Sequence, residues 1–251
     1  MNVIIEKLKN KLININIIRY YRRRKNATGV FGDEAEVEKL FNRFSKYLDF
    51  NDKVILELGP GQTYEFAEKI KHSGANGVYI IDVERYFTDS FLQNKGLHYK
   101  IYDGKLLPYE DNFFDIVCSN NVYEHLRYET ITVEETNRVL RKGGICLHQI
   151  DLRDHFCFDE NNERVFNMLR YNKEDWWNMT SNRVSYVNRL RMSHWVELHE
   201  KCGFHVSIME KNTSNKIIEL YNSKSNRINY LLALSFEDAT TSQILLKAVK
   251  E

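Results

Sequence analysis

KVILELGPGQT, residues 53–63, sets four apolar residues, Val54, Ile55, Leu56 and Leu58, around a single acid, Glu57, and then breaks into Gly59-Pro60-Gly61. A short β-branched apolar run that stops on glycines reads as an inner strand. Glycines in that position let the backbone approach a ligand and open the next helix N-terminus toward it. A dinucleotide-binding turn carries a similar pattern, but Tyr64 stands where that fingerprint needs a third small residue, which argues against a nicotinamide cofactor.

Outward from this stretch, strand and helix signals alternate. Strands are expected at GVYIID (77–82), LHYKIY (97–102), FFDIVCS (113–119) and GGICLHQI (143–150), with helices at TYEFAEKIKHSG (63–74) and ITVEETNRVLRK (131–142). EAEVEKLFNRFSKYL (34–48) and MNVIIEKLKNKL (1–12) have helical spacing, the latter amphipathic, and SHWVELHEKCG (193–203) is a further helix stopped by Gly203. FHVSIME (204–210) and INYLLALSF (228–236) read as closing strands. The expectation is one α/β domain. It comprises a helical extension over 1–50, a core over 51–151, a substrate-side insertion over 152–192, and a closing helix and strands over 193–251.

Composition narrows the function. The chain has 251 residues, 43% hydrophobic, with a net charge of +1, so no global field draws it to nucleic acid. The local exception is RYYRRRKN (19–26), read either as a solvated helix face or as a docking patch for an anion. No stretch is apolar enough to span a membrane, and the N-terminus lacks a signal-peptide pattern. Cys118, Cys146, Cys157 and Cys202 have no paired spacing, which suits reduced thiols and a cytoplasmic protein.

Three further motifs extend the opening one. The second strand ends in Asp82, placed to take both hydroxyls of a ribose; Asp103-Gly104 follows the third; SNNVYEHL (119–126) follows the fourth. In this order and spacing, over roughly residues 53–150, they resemble the S-adenosylmethionine-binding pattern of class I methyltransferases, the type 11 group in particular. The resemblance implies a Rossmann-like sheet of seven strands, mostly parallel with one antiparallel closing strand, and S-adenosylhomocysteine as product. It also implies that Glu57, Gly59 and Gly61 line the methionine part of the cofactor, that Asp82 holds the ribose, and that Pro60 and Val83 belong to the same cofactor-binding set. Asp103 and Gly104 would flank the adenine, and Asn120 would close the pocket. Read singly, Glu57 could equally be a satisfied carboxylate at a strand end, and Asp103 a turn former.

The acceptor is sought at the rim. Enzymes that methylate nucleobase amines resemble one another in an Asn/Asp-Pro-Pro-Tyr loop, and Asn120-Asn121-Val122-Tyr123 lacks both prolines. HQIDLRDHF (148–156) instead puts Asp151 at a strand end with Asp154 and His155 just beyond it. These three, with His125, are the acid–base candidates for a hydroxyl acceptor; His148 is expected in the core. Asp151 and Asp154 could instead be oxygen ligands for Mg²⁺. The run from HQIDLRDHF through a tryptophan-bearing insertion to NRLR (188–191) is similar to methyltransferases encoded with bacterial surface-polysaccharide assembly. That likeness implies a sugar or nucleotide-linked, phosphorylated precursor. Arg153, Asn188, Arg189 and Arg191 would supply polar contacts, and Trp177 and Tyr186 flat faces. Tryptophans that cap the core are the plainer account of Trp176 and Trp177. Other open readings are a phosphoramidate, lipid, quinone or other small-molecule acceptor, or a cofactor-binding partner subunit without activity of its own. Homo-oligomerisation is left open.

Overall fold

The computed structural model describes residues 2–13, 33–156, 163–183, 186–224 and 233–251; the basic stretch 19–26 and Cys157 lie outside them. The sheet is built from β1 (Val54–Leu58), β2 (Gly77–Asp82), β3 (Leu97–Ile101), β4 (Phe114–Asn120), β5 (Leu140–Asp151), β6 (Phe204–Thr213) and β7 (Thr241–Lys250). The helices are α1 (Val3–Ile13), α2 (Glu34–Ser45), α3 (Glu65–His72), α4 (Asp89–Gln93), α5 (Glu129–Val139), α6 (Lys173–Thr180), α7 (Met192–Lys201), α8 (Asn215–Lys224) and α9 (Phe236–Thr240). Strand order is β3-β2-β1-β4-β5-β7-β6, with the first five parallel and β7 antiparallel to both β5 and β6. This is the expected class I methyltransferase sheet.

The continuous apolar run of β1 follows from burial on both faces. Ile55 belongs to the core that also holds Phe44 of α2 and Phe66 of α3, while Leu56 belongs to the second core, with Val133 of α5 and Trp195 of α7. His148 sits within β5 as expected, fully buried, its ring stacked on Tyr123 at 3.9 Å and Nδ1 2.8 Å from Ser119 Oγ. Cys118, Cys146 and Cys202 are free thiols.

Two expectations are corrected and a third is refined. The helix expected to run through Lys142 stops at Val139, because Leu140 already pairs with Phe114 and begins β5. Phe236, expected to end a strand, opens α9, whose first turn is capped by Ser235 accepting from the Asp238 amide. The closing strand is β7, and Ile244, Leu245, Leu246 and Ala248 are fully buried because this last strand lies inside the sheet, between β5 and β6. Thirdly, α1 forms but presents its polar side inward. Asn10 donates to the Asn178 carbonyl and accepts from the Asn182 amide, and Glu6 pairs with Arg183, while Ile4, Ile5, Leu8 and Leu12 face out.

Arg191, expected to contact substrate, is buried at 4% exposure. Its guanidinium donates to the carbonyls of Asp238 and Thr241, both at 2.7 Å, and of Leu152. It therefore ties the end of β5 to α9 and β7. Burial lowers its pKa to about 10, so it stays charged at neutral pH. Replacing it with Met leaves three buried carbonyls without a donor, and Arg191→Met should lower the urea-unfolding free energy by about 3–5 kcal/mol.

Candidate active site

The glycine turn joins two strand ends. Gly59 has φ +65°, and its amide donates to the Ile81 carbonyl at 2.8 Å, welding β1 to β2. A Cβ on Gly59 would sit 2.9 Å from both Val122 methyls, so only glycine permits this approach. Gly61 donates its amide to Asp82 Oδ2 at 3.0 Å, and Asp82 Oδ1 accepts from the Glu84 amide at 3.1 Å.

A cavity of about 450 Å³ opens above this turn. Glu57, Gly59, Pro60 and Asn120 line it, as the sequence suggested, together with Thr63, Phe66, Asn121, Gln149 and the inner face of α2. Glu57 is 4% exposed, and its Oε2 has no hydrogen-bond partner. Burial, and then the nearby Asp82 and Glu65 carboxylates, push its pKa up to about 8. Glu57 is therefore not the satisfied strand-end carboxylate that the alternative required.

Sequence reasoning missed Arg43 and Gln149. Arg43 on α2 crosses the cavity to hydrogen-bond the Gln149 side chain, and its Nε pairs with Glu210 at 2.8 Å. Tyr47 Oη donates to Glu210 at 3.1 Å. The helical period of 34–48 announced a helix, but nothing in it indicated which strand ends the helix would cover.

Asp82, Val83, Asp103 and Gly104 lie beside this cavity on the ends of β2 and β3 rather than in its lining. Val83 is 44% exposed, and a Cβ on Gly104 would meet it at 3.4 Å, which leaves an apolar shelf. Asp103 is exposed, and its Oδ1 accepts the amides of Lys105 and Leu106, which lower its pKa. One of its oxygens thus performs the turn-forming role that the sequence left open.

The second half of the rim surrounds β5. Asp151 is 5% exposed and is gripped by Arg153, whose Nη2 lies 2.6 Å from Oδ2; His155 Nε2 is 3.6 Å from the same oxygen. Burial acts to raise the Asp151 pKa, but His155 and then Arg153 overcome it and hold the carboxyl well below the usual range. Arg153 is thus committed to Asp151. The His125 ring meets the His155 ring edge-on at 4.9 Å, and its Nδ1 is 2.6 Å from the Tyr186 carbonyl. Burial, reinforced by the neighbouring His155, lowers the His125 pKa to about 4, which keeps the imidazole neutral.

The remaining candidates are corrected by their partners. Asp154 is 1% exposed and accepts the amides of Phe156 (2.8 Å) and Met168 (2.9 Å), so it anchors the insertion instead of facing a ligand. Asn188 donates to the Tyr123 carbonyl at 2.7 Å, while its own amide donates to the Glu124 carbonyl at 2.7 Å. Arg189 donates to the carbonyls of Met168 and Tyr171 and lies over Trp176, whose indole donates to the Val187 carbonyl. All three positions build the insertion. Tyr186 is 5% exposed beneath Trp177, so of these two it is Trp177, at 40%, that offers an open aromatic face.

Residues 56–148 match the family model described as a methyltransferase domain. No curated protein matches the chain. Among solved structures, the YcgJ protein of Bacillus subtilis aligns at TM-score 0.55 and 16% identity, covering 85% of this chain and 99% of its own. An S-adenosylmethionine-dependent methyltransferase of Mesorhizobium loti aligns at 0.55 and 13%, covering 87% and 99%. The phosphoethanolamine N-methyltransferase 2 of Haemonchus contortus, in complex with S-adenosylmethionine, aligns at 0.58 and 16%, covering 87% and 53%. At these identities the solved structures show the fold, the class I methyltransferase sheet, and the match to the methyltransferase-domain model is confined to residues 56–148.

Proposed function

We propose that the protein transfers the methyl group of S-adenosylmethionine to a hydroxyl of a sugar, nucleotide-linked or otherwise phosphorylated, used in bacterial surface-polysaccharide assembly. The observation that carries the hydroxyl reading is the cluster of buried Asp151 with half-buried His155 and His125 at the carboxyl end of β5, the sheet edge at which such folds bind ligands. Transfer from a sulfonium is an in-line displacement. The acceptor oxygen forms a bond to the methyl carbon, the carbon–sulfur bond breaks, and the sulfur leaves as the neutral thioether of S-adenosylhomocysteine. Alignment supplies most of the acceleration, but a hydroxyl must also lose its proton, and the cluster stands where that proton would go.

In this reading Asp82 takes the ribose, Val83 and Gly104 bound the adenine, and Glu57 with Asn120 faces the methionine end. The open face of Trp177 is the support for a ring-shaped acceptor. The buried partners of Arg189 and Arg191 remove them from this role, so the phosphate preference rests on the sequence resemblance alone.

Three measurements bear on this reading. Asp82→Ala should weaken S-adenosylhomocysteine binding by about 10- to 100-fold in calorimetry, since a charge-assisted contact contributes about 1.5–3 kcal/mol; unchanged binding would remove Asp82 from the pocket. Glu57, protonated in the free protein below about pH 8, must ionise to pair with the cofactor's ammonium group. Affinity for S-adenosylmethionine should therefore rise from pH 6 to 8 with proton release, and Glu57→Gln should flatten the profile. A screen of activated sugars and phosphorylated precursors, scored by S-adenosylhomocysteine release, should find an acceptor whose turnover falls at least about 100-fold in His155→Ala with cofactor binding intact. Full turnover in that variant would discard the cluster.

A further inference from the structure

Immediately after β4, Tyr123–His125 forms a single 3-10 turn that carries Glu124 and His125 to the rim beside His155. One donor atom from each of Glu124, His125 and His155 lies within 4.8 Å of the others. Glu124 is 2% exposed, and neither carboxylate oxygen has a hydrogen-bond partner. The amides of Glu124 and Asp151 face it without completing hydrogen bonds of ordinary geometry. A buried carboxylate left in this condition costs about 1–3 kcal/mol or more, and a cation would remove that cost.

We propose that Glu124, His125 and His155 form a binding site for one divalent transition-metal ion on the acceptor side of the rim. Three features of the surroundings fit that role. His125 Nδ1 is held by the Tyr186 carbonyl, which directs the lone pair of Nε2 to a ligand, the outer-sphere arrangement that fixes metal-bound imidazoles. Asp151 Oδ2 stands 3.6 Å from His155 Nε2, an electrostatic contact that favours this orientation of the ring. Asn188 clasps both sides of the 3-10 turn through the Tyr123 and Glu124 carbonyls, so the ligands stand on a braced element. Metal–ligand bonds of about 2.0–2.2 Å place neighbouring donors about 3.4 Å apart, so binding requires a modest closure by side-chain rotation.

Two imidazoles with one carboxylate favour Zn²⁺, Fe²⁺ or Co²⁺ over Mg²⁺, which prefers oxygen ligands. This differs from the Asp151–Asp154 pair that the sequence offered as an alternative, since Asp154 is spent on two backbone amides. A second group of donors, Cys146, His148 and His199, lies equally close together, but each is buried in the core. His148 is held by Ser119, and His199 Nδ1 is 2.7 Å from the Trp195 carbonyl. Where the proposed hydroxyl acceptor is correct, the ion takes over activation from the two histidines, whose ring nitrogens it engages: an alcohol bound to it loses its proton to water far more readily. That consequence rests on the proposed function; the ion site does not.

The test is titration of the chelator-treated full chain with Co²⁺ and with Zn²⁺, followed by calorimetry and by the visible absorption of Co²⁺. One equivalent should bind with micromolar or tighter affinity. Glu124→Gln, His125→Ala and His155→Ala should each weaken it at least about tenfold, while Cys146→Ser should not. Glu124→Gln keeps the volume and removes the charge, and thermal melts of each variant will show whether it has folded. Absence of binding below about 100 μM, or binding that all three rim variants retain, overturns the site. Methyl transfer that persists in excess chelator overturns the ion's role and leaves the acceptor reading standing; ion binding without any methylated acceptor does the reverse.

Discussion

Gly59 carries no side chain, and the upper edge of the sheet depends on that absence. Its backbone joins β1 to β2 through the Ile81 carbonyl while Val122, from the loop after β4, closes against its bare Cα. Any Cβ there would drive the two loops apart, and Glu57, Asn120 and Asn121 would no longer share one cavity. The left-handed φ at Gly59 and Gly61 has a second effect, because it turns the Gly61 amide onto Asp82 and fixes the carboxylate that ends β2.

The other side of the rim is held from outside the sheet. Asp154 anchors the insertion through two amides, Arg189 fastens it through two carbonyls, and Arg191 ties β5 to β7. Asp154 and Arg191 are buried, and Arg189 half-buried, on backbone partners, which satisfies polar groups that a loop-rich segment would otherwise leave unpaired. The result is a rigid wall behind His125 and His155. Asn188, Arg189 and Arg191 are each engaged with backbone carbonyls of that wall.

Much of the sheet was legible because its pattern is local. β1, β2 and β4 are short apolar runs ending in glycine or polar residues, as covered inner parallel strands must be, while the edge strand β3 alternates and β5 adds an exposed polar start to its apolar half. The glycine turn, Glu57 and Asp82 were legible for the same reason: each belongs to a strand end, and strand ends of one parallel sheet meet at one edge. β7 was not, because QILLKAV (243–249) at the end of a chain carries no sign that it will insert between β5 and β6.

What the sequence determined by itself is therefore the order of elements and the residue types at the strand ends, since hydrophobic period and glycine placement act over a few neighbouring residues. What only the tertiary structure decided is which polar groups face a ligand and which face backbone. Asp151, Asp154, Arg189 and Arg191 look alike in the string HQIDLRDHF…NRLR, yet Asp151 stands beside two histidines and the other three close on amides or carbonyls of distant segments. A charge's role depends on the partners that reach it through space, and those partners come from elements up to 50 residues away, as in the bond from Arg191 to Thr241.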